Sequence, residues 1–145
     1  MYDDLSHNFA EEASLSQQCL YFARVAEIEG HAKIARMFRD LADAGVCSSH
    51  GHLDFLRELG DPEIPIGDTE QNIRSAIDRM TQAYTVSYPQ MADRARSSGL
   101  EDVASWYDNL TRAKEFQAVK MQKLLESTFS PKMRPLHEAL EEGGQ

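Results

Sequence analysis

The sequence predicts an all-α protein, an antiparallel four-helix bundle built from two helical hairpins. Three observations predict it. Apolar residues recur three or four apart over long stretches. No alternating strand pattern occurs. Gly and Pro punctuate the chain in only a few places.

In the first segment Leu5, Phe9, Glu12, Leu15, Cys19, Phe22 and Ala26 form one helical row. Gly30 breaks that segment. The second row is Ile34, Phe38, Leu41, Gly45, Ser48, His52 and Phe55. Gly60-Asp61-Pro62-Glu63-Ile64-Pro65-Ile66-Gly67 then reads as the linker between hairpins, with Asp68-Thr69-Glu70 as N-cap chemistry for a third helix. Its row is Ile73, Ala76, Met80, Ala83 and Ser87. Pro89 is expected to kink or divide this helix near Tyr88. Ser97-Ser98-Gly99 is the next break. The fourth row is Val103, Tyr107, Leu110, Lys114, Gln117, Met121 and Leu124. The bundle is thus expected over 1–129, with a tail over 130–145 that carries a basic Pro131-Lys132-Met133-Arg134-Pro135 stretch.

The two hairpins read as a duplication. One constant shift lays the first over the second: Gly30 falls on Gly99, Ile34 on Val103, Ala35 on Ala104, Phe38 on Tyr107, Leu41 on Leu110 and Ala44 on Ala113. In the same register Gly45 meets Lys114 and Ser48 meets Gln117.

Composition narrows the function. The 145 residues carry 15 Lys and Arg against 24 Asp and Glu, a formal charge of −9. Nucleic acid and anionic membranes reward clustered cations, so neither is expected as a partner. No apolar run approaches the roughly 20 residues that span a bilayer. The acidic start Met1-Tyr2-Asp3-Asp4 lacks a signal peptide's basic and apolar regions, so a cytoplasmic location is expected. Cys19 and Cys47 alone make no disulfide framework and no metal knuckle.

The middle of every row is polar or small: Glu12, Cys19, Gly45, Ser48, His52, Met80, Ala83, Lys114 and Gln117. A structural bundle normally places Leu or Ile there. A carboxylate-bridged di-metal centre is the usual reason for polar residues in such a core. It takes a Glu from each of two helices and Glu-x-x-His from each of the other two.

Several stretches carry a resemblance. Phe9-Ala10-Glu11-Glu12, Tyr21-Phe22-Ala23, the run from Glu29 to Arg39 and His50-Gly51-His52-Leu53 resemble rubrerythrin, a ferritin-like diiron family. Gly67-Asp68-Thr69-Glu70-Gln71-Asn72-Ile73, Tyr84-Thr85-Val86-Ser87-Tyr88-Pro89 and Ala104-Ser105-Trp106-Tyr107 continue the match, which runs over roughly 5–125. The resemblance implies a ferritin-like bundle, peroxide reduction at a diiron centre, and electrons from a rubredoxin-like Fe(Cys)₄ module. It also implies pairing as a homodimer, which some relatives achieve by exchanging hairpins.

Carried over residue by residue, the implied ligand set is largely missing. The first-helix Glu is Glu12. The second-helix Glu-x-x-His falls on Gly45 and Ser48, the third-helix carboxylates on Met80 and Ala83, and the fourth-helix Glu-x-x-His on Lys114 and Gln117. Cys19 stands where a Tyr is common. The four Cys of the rubredoxin-like module have no counterparts. One carboxylate cannot hold two irons, so no metal and no cofactor is expected.

The expectation is therefore a non-catalytic relative that keeps the scaffold and binds protein, as an accessory subunit, a homodimer or part of a larger assembly. Lys114 would pair with Glu12 in place of metal, helped by Gln117, Ser48 and His52. The alternative is an oxidoreductase with a rebuilt site: one metal near Glu12 and His52, a soft-metal site at Cys19, Met80 and His52, or Cys19 as a redox thiol. A small-molecule cavity opened by Gly45, Ser48 and Ala83 is a third reading. Cys47 and His50 are expected at the surface, unpaired with Cys19.

Overall fold

The computed structural model describes residues 1–63 and 65–129. They form α1 (Tyr2–Ile28), α2 (Ala32–Leu59), α3 (Thr69–Gln82), a π-helical turn (Ala83–Ser87), α4 (Tyr88–Ser97) and α5 (Glu101–Phe129). No strand occurs among the described residues, and the fold class is all-α, as the ferritin-like bundles are. The chain divides into two compact units, Met1–Gly67 and Asp68–Gln145. The tail expected from 130 onward lies outside the described residues.

The first unit is the α1–α2 hairpin. Its turn needs a left-handed residue, and Gly30 supplies φ 84°. The Gly30 N–H donates to the Glu27 carbonyl (3.0 Å) and the His31 N–H to the Ala26 carbonyl (2.7 Å). These bonds satisfy carbonyls that the helix end would otherwise orphan. The far end of the hairpin is tied by side chains. The Tyr2 hydroxyl donates to the Leu59 carbonyl at 2.7 Å, and Ser6 Oγ donates to Asp61 Oδ2 at 3.2 Å. Asp61 is buried, and its other oxygen accepts the Glu63 N–H at 2.8 Å.

The second unit repeats the hairpin with α4 and α5. Gly99 has φ 72°, its N–H donates to the Arg96 carbonyl (2.9 Å), and the Leu100 N–H donates to the Ala95 carbonyl (2.9 Å). Each bond is the counterpart, in the register of the duplication, of one beside Gly30. α3 begins at a capping box: Asp68 Oδ1 accepts the Gln71 N–H, and Gln71 Oε1 accepts the Asp68 N–H, both at 2.9 Å.

Pro89 divides the long third helix as expected, and the division takes the form of a π turn. Pro lacks an N–H, and its ring crowds the carbonyl four residues back, that of Thr85. The widened turn over Ala83–Ser87 relieves that crowding. It closes with the Tyr88 N–H on the Ala83 carbonyl, the i→i+5 spacing of a π-helix.

The buried seams of the hairpins coincide with the rows that periodicity picks out at Cys19, Ala26 and Gly45 and are displaced from them by one position elsewhere. In the first unit it is Ser16, Cys19, Ala23 and Ala26 against Ala35, Ala42, Gly45, Ser49 and Leu56. In the second, α4 and α5 bury Ala92, Ala95, Ala104, Ala118 and Leu125. Ile34, Leu41 and Phe55, expected inside, are 51%, 51% and 58% exposed. Their neighbours Ala35, Ala42 and Leu56 are 0–2% exposed. Val103 and Leu124 against Ala104 and Leu125 repeat the one-position offset. The reason is steric. Helices approach most closely where both backbones carry small side chains, so Ala, Ser and Gly dominate the seam, with Leu56 and Leu125 towards its far ends. The larger residues of the same faces stand beside the seam, about 100° around each helix.

Candidate functional site

The positions that the resemblance implies as metal ligands divide between the two units. In the first, Glu12 on α1 is half-buried, and its backbone carbonyl accepts Ser16 Oγ at 2.8 Å. Gly45 on α2 is buried directly against this turn. A Cβ placed on Gly45 would lie 2.1 Å from Ser16 Oγ and 3.4 Å from both Ser16 Cβ and the Glu12 carbonyl oxygen. The backbone of α2 thus rests on α1 at this level.

The other named residues of this unit are less enclosed. Ser48 is exposed, and its hydroxyl donates to the Ala44 carbonyl at 3.2 Å. His52 is half-buried, while His50 and Cys47 are exposed, as expected. Cys19 is 3% exposed and, like Cys47, a free thiol. A shallow groove of about 190 Å³ lies beside Glu12, lined by Glu11, Glu12, Ser14, Leu15 and Gln18.

In the second unit Met80 is half-buried near the end of α3, and Ala83 opens the π turn. Lys114 is half-buried on α5. Its ammonium donates to Gln117 Oε1 at 3.3 Å, one helical turn on, and Gln117 is exposed. Tyr88 and Tyr107 stack with ring centroids 5.6 Å apart. Tyr88 is the duplication's counterpart of Cys19, so a ring fills in α4 what a thiol fills in α1. An open groove of about 410 Å³ follows the π turn, lined by Asp78, Arg79, Gln82, Ala83, Ser87 and Tyr88.

These residues do not fit a diiron centre. Gly45 and Ala83 carry no donor atom, and Met80 offers only a thioether. Lys114 brings a cation, and donors hold iron as anions or neutral imidazoles. Among the described residues no three His, Cys, Asp or Glu side chains are placed to hold a metal ion. The space a carboxylate at 45 would start from is already filled by Ser16 Oγ.

Sequence reasoning missed Ser16, Asp61 and the π turn's groove. Ser16 carries no motif, and its part depends on its distance from Gly45. A lone Gly in the middle of an otherwise helical pattern was the available signal, since such a Gly often marks close backbone approach.

The fold defines an all-α protein of helical hairpins, consistent with the ferritin-like bundles. No family model matches the chain. It is 29% identical over 111 residues to the rubrerythrin of Porphyromonas gingivalis, across 72% of this chain and 55% of that protein. It is 30% identical over 115 residues to the rubrerythrin of Nitratidesulfovibrio vulgaris, across 74% of this chain and 60% of that protein. The chain is rubrerythrin-like, and it spans 55–60% of the length of these curated relatives. No helix among the described residues is long and apolar enough to cross a membrane.

Proposed function

We propose that this chain is a non-catalytic, rubrerythrin-like cytoplasmic protein that has exchanged a diiron centre for an ion pair and acts by binding protein. The observation that carries the reading is the donor set. Of the positions matching the rubrerythrin ligands, Gly45, Ser48, Met80, Ala83, Lys114 and Gln117 supply no carboxylate and no imidazole. A catalyst that reduces peroxide through iron would need them.

In this reading the Lys114 ammonium neutralises Glu12, the carboxylate that lost its metal. A carboxylate left without a partner in a core is costly. Gln117 accepts a hydrogen bond from Lys114 Nζ one turn along the same helix. Large apolar side chains stand exposed on α2 (Ile34, Leu41, Phe55) and on α5 (Trp106, Phe116, Leu124), surface that a protein partner would cover. A homodimer, alone or in a larger assembly, is the proposed working form.

The test is metal loading. Purified protein is incubated anaerobically with iron(II) or manganese(II), desalted and analysed for metal, and its peroxide consumption is followed. The proposal expects substoichiometric metal and no turnover above the buffer rate. Two metal ions retained per chain, with peroxide turnover, would overturn it.

A further inference from the structure

The missing metal ligand on α2 has a second cause besides its replacement by glycine. We infer that Ser16 determines which side chains position 45 can carry: while its hydroxyl stays on the Glu12 carbonyl, any side chain there, a carboxylate included, collides with it. The inference deepens the proposed loss of the metal site and rests on that reading only for the meaning of position 45.

The argument is one of space. Real Cβ atoms do not sit 2.1 Å from an oxygen, so any residue but glycine at 45 forces Ser16 Oγ or the helix to move. The hydroxyl is not loose. It donates to the Glu12 carbonyl at 2.8 Å, and Ser16 is 2% exposed. Turning it away breaks that bond within a buried seam and leaves a polar group unpaired. Behind the hydroxyl, Ser16 Cβ and the Glu12 carbonyl oxygen each stand 3.4 Å from the new carbon. Removal of Oγ alone therefore admits a methyl group, tightly. The Ser16 hydroxyl is the specific obstacle.

α2 supplies its own control. Gly51 lies on the same helix, and a Cβ there meets nothing within 4 Å. Gly→Ala in a helix interior ordinarily stabilises, because glycine loses more backbone freedom on folding. The two glycines are therefore expected to respond with opposite sign.

The experiment compares thermal melts of G51A, G45A, S16A and S16A/G45A in the full chain. We expect G51A to raise the melting temperature and G45A to lower it by several degrees. In the S16A background the Gly45→Ala step loses less than half of that shift. G45E and S16A/G45E follow the same order, with the double variant the more stable. Should G45A fail to fold, the S16A/G45A protein still folds and carries the comparison. If G45A melts at or above the native temperature, or falls by the same amount with and without Ser16, the inference is wrong. Neither result depends on metal, so failure here is separate from failure of the proposed function.

Discussion

Arg39 and Asp108 occupy equivalent places in the two hairpins and carry opposite charges. Arg39 on α2 pairs with Glu27 on α1, and Asp108 on α5 pairs with Arg96 on α4. Glu27 and Arg96 are equivalent in the same register. The duplication has thus kept a helix-to-helix ion pair beside each glycine turn while reversing its polarity. The pair keeps its place in both hairpins although its polarity is reversed.

Reversal of the first pair tests this. All four side chains are 38–52% exposed, so each pair contributes about 1 kcal/mol or less. Arg39→Glu is expected to lower stability by up to about 1 kcal/mol, since it places like charges together. Adding Glu27→Arg restores it. Urea unfolding measures both steps, and failure of the second change to compensate the first would show that the pair is incidental.

Leu56 and Leu125 are the large side chains of their seams. They are 0% and 3% exposed and occupy equivalent positions of the two hairpins. Each change to Ala is expected to cost about 2–5 kcal/mol. Similar losses, read by chemical denaturation, are predicted because the surroundings repeat. A cost confined to one of the two would mean that the seams differ in their packing.

Asp61 holds the open end of the first hairpin through Ser6 and the Glu63 N–H. Asp61→Ala leaves these donors without their acceptor, at a cost of about 1–3 kcal/mol. Asp61→Asn keeps an acceptor oxygen and is expected to lose less. Amide hydrogen exchange locates the effect: faster exchange is predicted at the Leu59–Glu63 end of the hairpin, with the Gly30 end unchanged.

The helices, their order, the glycine turns, the Asp68 cap and the duplication were all legible in the sequence. They depend on local chemistry: periodicity, capping oxygens and left-handed turns. The break at Pro89 was legible too, though its π form was not, because that depends on how the backbone shares out one extra residue. Cys19, Ala26 and Gly45 lie in the buried seam as expected, whereas elsewhere the seam falls one position along from the expected row. Ile34 and Leu41 outweigh Ala35 and Ala42 in any hydrophobic pattern, whereas close helix approach selects the smaller pair. Of the candidate site, Glu12 and the other implied ligand positions came from the resemblance to rubrerythrin, carried over residue by residue. The contact of Ser16 with Gly45 was not legible, since the two stand on different helices and touch only after the hairpin closes.

The central proposal is that the Lys114 ammonium stands in for a metal as the partner of Glu12. The direct measurement is thermal and urea unfolding of Lys114→Ala beside Lys114→Met/Glu12→Leu. Breaking a buried pair by removing one partner costs about 3–5 kcal/mol, whereas an apolar replacement of both is close to neutral. The account predicts a large loss for the single variant and native or better stability for the double. A Lys114→Ala protein that unfolds at the native midpoint would contradict it.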